Sequence, residues 1–287
     1  MSKKIAILGC GYLGKELAKT VLAKNWEVTA LTRNPNTIYE LREMGVANVC
    51  QGILAEDVWH SQINPEQDFV VNCVGAASPS VEGYRESYLE GIRSIKRWMS
   101  PHCKTRFVFT SSTSVYPQSS GERVDEGSSN EGVSERGQIL LDAERECLSL
   151  NSERITSFVL RLAGLYGPDR HLLINKVRAG EEMSGNGQRI LNLIHRNDAA
   201  NAILGVLTHS ECKNGKIYNV TDNEGANREE ITNWIADKLD LKRVKFAQND
   251  SANVPNRLVS SDLIRSEIGW HPEYPSFRKA YEEMLAS

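Results

Sequence analysis

The sequence predicts an α/β fold: a doubly wound parallel β-sheet with helices on both faces and a smaller C-terminal lobe. Short apolar segments alternate with segments of helical periodicity through the first 167 residues. Most of these apolar segments are hydrophobic throughout, as strands must be when a parallel sheet is covered on both faces. The alternation becomes irregular after Pro168, which favours a separate lobe there.

Each predicted strand is an apolar segment that ends at a turn signal. The strand segments are residues 5–8, 27–32, 46–51, 68–74, 106–110, 156–162, 189–194 and 216–220. Helices are expected at residues 13–22, 82–99, 135–150, 172–179, 198–207, 228–239 and 275–285. Residues 117–134 are rich in Ser, Gly and Glu, and they are predicted to form a mobile loop over the strand ends.

A glycine turn joins the first strand to the first helix. Gly9, Gly11 and Gly14 have the spacing GxGxxG. Between a strand and a helix, this spacing is typical of a dinucleotide-binding Rossmann fold: the first glycine makes the tight turn, the second admits the pyrophosphate, and the third allows close helix packing. The N–H groups of the helix N-terminus favour the same anion. The alternative is a glycine-rich turn without a ligand.

The predicted cofactor site combines this turn with the ends of the neighbouring strands. Its residues are Gly9, Gly11, Tyr12, Leu13, Gly14, Thr32, Arg33, Asn34, Cys73, Val74 and Gly75. We therefore expect residues 1–167 to form an NAD(P)-binding Rossmann domain, to which residues 189–220 return. Residues 168–188 and 221–287 are expected to form the substrate-binding lobe.

The end of the second strand bears on the choice between NAD and NADP. NAD-preferring Rossmann proteins hold the ribose 2′-hydroxyl with an acidic residue about 20 residues past the glycines. This chain has Thr32, Arg33 and Asn34 at that point, and no carboxylate. A guanidinium can bind a 2′-phosphate through two hydrogen bonds, so Arg33 favours NADP. The alternative is a solvated arginine that follows a strand.

Composition and charge exclude several classes of protein. The 287 residues are 40% hydrophobic and 25% charged, as in ordinary globular proteins, and the net charge of −3 predicts no nucleic-acid partner. No segment approaches the ~20 apolar residues of a membrane span, and the N-terminal apolar run is too short for a secretory signal. The six cysteines, at positions 10, 50, 73, 103, 147 and 212, lack metal-ligand spacing. We therefore expect a cytoplasmic protein with reduced thiols, no metal and no membrane partner.

Six segments, in order along the chain, resemble the extended short-chain dehydrogenase/reductase family, which includes nucleotide-sugar epimerases and dehydratases. They are residues 9–14 (GCGYLG), 109–116 (FTSSTSVY), 161–168 (RLAGLYGP), 194–198 (IHRND), 217–220 (IYNV) and 268–272 (IGWHP). The resemblance implies an NADP or NAD cofactor and a small-molecule substrate of the nucleotide-sugar type. Because extended members more often have GxxGxxG, the chain looks like an atypical branch.

The resemblance also implies a catalytic set that this chain retains only in part. Family members use a Tyr as acid/base, a Lys four residues later that lowers the pKa of this Tyr, and a Ser that orients the substrate. Ser112 matches the Ser, but Arg136 and Leu140 stand at the Tyr and Lys positions. Arginine does not give up its proton and leucine has no charge, so neither can do this work. Tyr88 replaces the Asn that is common on the preceding helix.

Two other tyrosines are candidates for the missing acid/base. Tyr116 follows the serine-rich turn, and Tyr166 lies in the next loop, although packing is the simpler interpretation of each. His195 and Asp198 are given structural roles. Cys10 is interpreted as a small residue that fits the turn, in preference to a thiol activated by the helix N-terminus.

Three functions therefore stay open. The first is an NADP-linked oxidoreductase or epimerase that acts on a nucleotide-sugar or a related hydroxy or keto compound, with Ser112 retained. The second is a non-catalytic NAD(P)-binding sensor or regulatory protein, which the loss of the Tyr–Lys pair favours. The third is a Rossmann fold for another nucleotide, such as an S-adenosyl cofactor, against which the six matching segments argue. The sequence does not predict an oligomeric state.

Overall fold

A computed structural model describes residues 2–210, 215–247 and 254–286; Cys212 lies outside these ranges. The strands are β1 (Lys4–Leu8), β2 (Glu27–Thr32), β3 (Asn48–Gln51), β4 (Phe69–Asn72), β5 (Thr105–Ser112), β6 (Arg123–Val124), β7 (Ile155–Leu162), β8 (Gly164–Tyr166), β9 (Met183–Ser184), β10 (Leu193–His195), β11 (Ile217–Val220), β12 (Phe246–Ala247) and β13 (Leu258–Val259). The helices are α1 (Tyr12–Leu22), α2 (Pro35–Glu43), α3 (Val81–Tyr84), α4 (Gly91–Trp98), α5 (Glu135–Leu148), α6 (Leu172–Ala179), α7 (Arg196–Thr208), α8 (Arg228–Lys238), α9 (Asp262–Ile268) and α10 (Phe277–Ala286). A π-helical segment, Arg85–Glu90, joins α3 to α4.

Seven strands form one sheet in the order β11-β7-β5-β4-β1-β2-β3, and every pairing in it is parallel. The strand order reverses at β1, where the chain moves first towards β3 and then back to β4 on the other side. This is the doubly wound arrangement, so the predicted fold class is confirmed. In such sheets, ligands bind outside the carboxyl ends of the strands at the reversal.

Both faces of the sheet are buried, which explains why its strands are apolar throughout. In β1, Ile5 and Ile7 belong to a hydrophobic cluster with α1 and α7, whereas Ala6 and Leu8 belong to a second cluster with α4 and α5. All four side chains are fully buried. Because successive side chains of a strand point to opposite faces, a strand between two helical layers has no polar face.

A third hydrophobic cluster forms the centre of the smaller lobe. It gathers side chains from α6, α8 and α10, among them Ile174, Ile231 and Phe277. Helix α9 does not join this cluster, because its Ile264 packs in the cluster of α1 and α7, as does Trp270. Residues 221–287 therefore contribute to both cores, and the predicted domain limits stay a prediction. Within the described ranges, no helix combines the length and hydrophobicity of a membrane span.

The segment predicted as a loop over the strand ends contains a short strand. In it, β6 pairs in parallel with β13, about which the sequence analysis made no prediction. Gly121 N also donates to Asn256 O at 2.8 Å, and Asn256 N donates to Gln118 O at 2.9 Å. The strand expected at residues 189–194 is displaced to β10, which pairs with β8 outside the main sheet. Both pairings join segments that are distant in sequence or irregular, so local periodicity does not reveal them.

A buried ion pair holds α5 against the sheet. Arg161 Nη2 on β7 lies 2.7 Å from Glu144 Oε2 on α5, and each side chain is only 3% exposed. The hydroxyl of Ser111 on β5 donates to Glu144 Oε1 at 2.6 Å. Arg161 Nη1 donates to the hydroxyl of Tyr116 at 2.8 Å, and that hydroxyl donates to Asn219 Oδ1 at 2.9 Å. The network thus connects α5 with β5, β7 and β11.

Replacing Glu144 with Gln is expected to lower the free energy of unfolding by about 3–5 kcal/mol, because it leaves the Arg161 guanidinium buried without a counter-charge. Urea unfolding followed by far-ultraviolet circular dichroism measures this loss. Glu146→Gln is the matched control on the same helix, since the ion-pair partners of Glu146 among the described residues are Arg93 and Lys96, which are exposed. Its loss should stay below about 1 kcal/mol. Equal losses in the two variants would contradict the prediction.

Candidate functional site

A cavity of about 820 Å³ lies at the carboxyl ends of the strands, where the strand order reverses. Its walls include the ends of β2, β4, β5 and β7 and the glycine turn that follows β1. Three segments from the second half of the chain complete it: residues 162–165, 189–192 and 255–257. The volume falls in the range of about 300–1,000 Å³ that is common for small-molecule and cofactor sites.

The three glycines of the turn have different structural reasons. Gly9 has φ +85°, and a Cβ there would lie 2.5 Å from Val74 Cγ2. A Cβ on Gly14 would lie 2.8 Å from the carbonyl oxygen of Gly9. A Cβ on Gly11 would meet nothing within 4 Å, although Gly11 borders the cavity. Gly9 and Gly14 are therefore needed for the packing of the turn itself, whereas Gly11 leaves open space for a ligand.

Helix α1 begins beside the cavity with an end that suits an anion. Its N-cap, Gly11, has no side chain to accept from the first-turn N–H groups, and the first turn contains no acidic residue. These N–H groups lack helical partners, and the helix dipole makes this end positive. A phosphate at this position would therefore be stabilised by hydrogen bonds and by the dipole.

Ten of the eleven residues predicted to contact the cofactor border this cavity: Gly9, Gly11, Tyr12, Leu13, Thr32, Arg33, Asn34, Cys73, Val74 and Gly75. Gly14 lies below the turn, where it packs on Gly9. The structure thus brings the predicted residues together at one site. Their contacts with a cofactor stay a prediction.

Arg33 is exposed at the end of β2 and borders the cavity. Its two neighbours are already engaged with the backbone: Asn34 Oδ1 accepts from Asn36 N at 3.0 Å, and Thr32 Oγ1 accepts from Asn34 N at 3.3 Å. In the part of the chain that the structure describes, the Arg33 guanidinium has no hydrogen bond and no ion pair. It is therefore available to a ligand.

Two more arginines meet at the other side of the cavity. Arg257 is 9% exposed and donates from Nη2 to Thr113 O at 2.7 Å, while its Nε has no partner among the described residues. Arg189 donates from Nε to Pro255 O at 3.1 Å. Burial, with a smaller contribution from Arg189, lowers the pKa of Arg257 to about 10. Two guanidinium groups thus lie near each other with no carboxylate partner among the described residues, which favours an anionic ligand.

The charged residues in the cavity wall are predominantly basic. Among the described residues that border it, four are arginines and one is a carboxylate: Arg33, Arg170, Arg189, Arg257 and Glu86. Arg170 also lies over the ring of Tyr12, at 5.5 Å from its centroid. An overall acidic protein therefore has a cavity of positive charge, which attracts anions and raises their local concentration. In the described ranges, no group of His, Cys, Asp and Glu could hold a metal ion.

Comparison with known proteins supports the resemblance noted in the sequence. The model of the NAD dependent epimerase/dehydratase family matches residues 5–221. The chain belongs to this family. Protein YeeZ of Escherichia coli K12 is 28% identical over 274 residues, covering 95% of this chain and 97% of YeeZ.

Solved structures of this family share the fold. The UDP-glucuronic acid 4-epimerase of Bacillus cereus, in complex with UDP-glucuronic acid and NAD, is 18% identical with a TM-score of 0.81, covering 97% of this chain and 96% of that one. The dTDP-glucose 4,6-dehydratase of Bacillus anthracis, in complex with NAD, is 17% identical with a TM-score of 0.81, covering 99% and 96%. The predicted similarity to the epimerase/dehydratase group of short-chain dehydrogenases is therefore confirmed.

In this member of the epimerase/dehydratase family, the helix that should carry the Tyr–Lys pair turns neither position to the cavity. Arg136 is exposed, donates to Pro79 O at 3.0 Å and lies 5.6 Å from the ring centroid of Tyr84. Leu140 is fully buried in a cluster with Tyr116, Val115, Val124 and Val259. Ser112, by contrast, borders the cavity, and its Oγ accepts from Ser114 N at 3.1 Å. The serine site is kept, and the helix α5 site is not.

Tyr116, the speculative acid/base of the sequence analysis, lies in the core and does not border the cavity among the described residues. Its side chain is fully buried, and its hydroxyl both donates to Asn219 and accepts from Arg161. The structure therefore corrects the expectation that this phenol enters the pocket: the residue after the serine turn points into the Glu144–Arg161 network. Tyr166 is also buried away from the cavity, packed against His195 and Tyr281.

Asp198, His195 and Cys10, which the sequence indicates to be structural residues, contact other parts of the protein or lie in its core. The Asp198 carboxylate accepts from the backbone N–H groups of Glu273 and Tyr274 at 2.7 and 2.9 Å. His195 lies between the rings of Tyr166 and Tyr274. Burial raises the pKa of the fully buried Cys10 thiol to about 12, which makes it a poor nucleophile.

The sequence did not indicate the π-helical segment, nor that Arg189 and Arg257 border the cavity. Glu86, Ser87 and Tyr88 all border the cavity, but only Tyr88 was noted, as a replacement. A wide helical turn leaves no signature in hydrophobic periodicity. Arg189 and Arg257 come together only through the tertiary fold. The shortage of carboxylates near them could have drawn attention to the arginines, but their proximity could not be read from the chain.

Replacing Gly9 with Ala is expected to lower the free energy of unfolding by about 3 kcal/mol. The positive φ contributes about 1–2 kcal/mol and the overlap with Val74 about 1–3 kcal/mol. Gly11→Ala, two residues away, should stay within about 0.5 kcal/mol of the unmodified protein, because its Cβ meets open space. Denaturant unfolding of the two variants checks this difference. The assignment of the glycine roles fails if Gly11→Ala is the more damaging change.

Proposed function

We propose that this chain binds NADP as an oxidoreductase or epimerase of the epimerase/dehydratase type and acts on a nucleotide-sugar-like substrate. The observation that carries the proposal is the composition of the cavity. It extends across the strand ends from β2, with Arg33, to β7, with Arg189 and Arg257 beside it, and it includes Ser112 on β5. One space therefore offers an anion site at each side and a retained family serine in its wall.

The side of the cavity formed by the glycine turn and the N-terminus of α1 suits a dinucleotide. Gly11 leaves room where a Cβ would otherwise stand, and the N-terminus of α1 offers free N–H groups. These two features suit a pyrophosphate. A bound nicotinamide cofactor would supply hydride transfer; the protein would supply binding, orientation and proton transfer.

Arg33 supports NADP over NAD. It borders the cavity, is exposed, and has no ion-pair partner among the described residues. A 2′-phosphate would give it a bidentate partner, whereas a ribose 2′-hydroxyl offers an arginine much less.

The second side of the cavity suits the diphosphate of a nucleotide-sugar. Burial is the main cause of the lowered pKa of Arg257, and repulsion from Arg189 adds to it. An anion beside the two guanidinium groups would reduce that repulsion. The Bacillus cereus epimerase, which has the same fold, was solved with UDP-glucuronic acid and NAD. Ser112 would then orient the substrate hydroxyl or carbonyl, as its equivalent does in the family.

A non-catalytic NAD(P) sensor is the second candidate. The observation that favours it is the state of α5, where Arg136 is turned to solvent and Leu140 is built into the core. A protein that kept the cofactor cavity and lost proton transfer would have this pattern. The two functions differ in turnover and agree in binding.

The NADP proposal predicts that the protein binds NADPH more tightly than NADH. Arg33→Glu should weaken NADPH binding about 10–100-fold, the effect of losing a charge-assisted hydrogen bond of about 1.5–3 kcal/mol, and should change NADH binding little. Fluorescence titrations with both reduced cofactors measure this. Arg42→Glu is the control, because Arg42 is exposed on α2, the helix that follows Arg33, and is not among the described residues that border the cavity. Equal affinity of the unmodified protein for the two cofactors would refute the preference.

Turnover is tested with a panel of nucleotide-sugars, namely UDP-glucose, UDP-glucuronic acid and dTDP-glucose, together with NADP. Reduced nicotinamide absorbance detects net oxidation, and chromatography of the products detects epimers that masses alone would miss. We expect the unmodified protein to convert at least one compound. Ser112→Ala should lower kcat at least about 100-fold, and Arg189→Ala should raise KM. Tight NADPH binding without conversion of any compound would favour the sensor.

A further inference from the structure

The cavity wall includes a tyrosine whose hydroxyl proton has no hydrogen-bond acceptor among the described residues. Among the described residues, Tyr12 and Tyr88 are the tyrosines that border it. Tyr12 donates its hydroxyl proton to Pro168 O at 2.9 Å. The hydroxyl of Tyr88 instead accepts the N–H of Ala76 at 3.2 Å, so that bond leaves its proton for another acceptor.

Tyr88 lies on a backbone feature that is rare in helices. The π-helical segment Arg85–Glu90 interrupts the helix between α3 and α4. Single π turns of this kind occur frequently at functional sites. Glu86, Ser87 and Tyr88 are consecutive and all border the cavity. The π-helical segment thus contributes three consecutive residues to the cavity wall.

Several contacts fix the Tyr88 hydroxyl beside the strand ends. The centroid of the Tyr88 ring lies 6.2 Å from that of Phe109 on β5 and 5.3 Å from that of Tyr84. Ser87 Oγ accepts from Ala77 N at 2.9 Å, next to the bond between Ala76 N and Tyr88. The π-helical segment is thereby tied to the loop after β4. Ser112, at the end of the neighbouring strand β5, borders the same cavity.

We propose that Tyr88 replaces the missing family tyrosine and exchanges a proton with the substrate oxygen that Ser112 orients. This inference rests on the proposed function. In the reducing direction, the carbonyl carbon accepts a hydride and its two electrons from a reduced nicotinamide dinucleotide, and the C=O π pair moves to the oxygen. That oxygen takes the proton of Tyr88 as the tyrosine O–H bond breaks. The tyrosinate then regains a proton from solvent, and oxidation runs the same steps in reverse.

The surroundings of Tyr88 suit this role. The Ala76 N–H donates to the phenolic oxygen, so it would stabilise the tyrosinate that proton transfer leaves, as the lysine does in the family. A tyrosine with an ordinary pKa of about 10 already carries its proton near neutral pH. Burial raises the pKa of Tyr88 further, and the hydrogen bond from Ala76 N opposes this rise because it favours the tyrosinate. Glu86 is the carboxylate of the cavity wall, and Tyr84 is the phenol packed against Tyr88.

The placement can be tested without a substrate, because NADP and NADPH differ in charge at the nicotinamide. In protein with tyrosine labelled at Cζ, NMR follows the titration of Tyr88, and Tyr88→Phe identifies its signal. Beside a cationic nicotinamide, the pKa of Tyr88 should be lower in the NADP complex than in the NADPH complex by about 1 or more. Tyr39→Phe is the control, since Tyr39 is exposed on α2 and is not among the described residues that border the cavity, so its loss should preserve this difference. Tight binding of both cofactors with the same Tyr88 titration would overturn the inference.

Turnover provides a second measurement once the panel yields a converted compound. Tyr88→Phe should lower kcat about 10²–10⁴-fold, leave NADPH affinity and KM within about threefold, and remove one limb of the pH profile of kcat. Tyr39→Phe should retain the unmodified kcat and profile. A Tyr88→Phe enzyme with unchanged kcat and pH profile would overturn the inference while the proposed function stands. Failure of the unmodified protein to bind either cofactor would overturn both.

Discussion

The reversal of strand order at β1 is the constraint on which the site depends. Because β1 pairs with β2 on one side and β4 on the other, the chain leaves it in opposite directions and its carboxyl end stays uncovered. The glycine turn is tied to both neighbours: Gly9 N and Cys10 N donate to Leu31 O, and Cys73 N donates to Leu8 O at 2.7 Å. These bonds place the end of β2, and with it Arg33, beside the turn.

Helix α5 lacks the acid/base pair that the family resemblance implies for it. Arg136 is exposed at the Tyr position, Leu140 packs with Tyr116 at the Lys position, and Glu144 on the same helix pairs with Arg161. A lysine at position 140 would place an ammonium in an apolar cluster without a partner, which costs several kcal/mol. The packing of α5 therefore favours Leu140 over a lysine, and a proton donor for the proposed reaction would have to come from another element. The π-helical segment is such an element, because it borders the same cavity.

Apolar runs and glycine spacing predicted the strands and the turn that depend on local sequence. The Ile5–Leu8 run and the glycine spacing identified the first strand and the turn, and ten of the eleven residues predicted to contact a cofactor border the cavity. What the sequence did not reveal depends on contacts between distant segments. The pairing of β6 with β13 joins residues about which local periodicity says nothing. Tyr116 illustrates the same limit, since its position after the serine turn suggests a pocket, while its direction is decided by Arg161 and Asn219.

The electrostatics of Arg257 favour an anionic ligand at the part of the cavity that Arg189 and Arg257 border. Its guanidinium is buried, one of its nitrogens has no partner among the described residues, and Arg189 lies close enough to lower its pKa. The burial and the repulsion are unfavourable in the protein without a ligand, and the hydrogen bond from Arg257 to Thr113 O partly offsets them. An anion beside Arg189 and Arg257 would reduce the repulsion between the two guanidinium groups. Because Thr113 follows Ser112, the hydrogen bond from Arg257 to Thr113 O also fixes Arg257 relative to the serine that we propose orients the substrate.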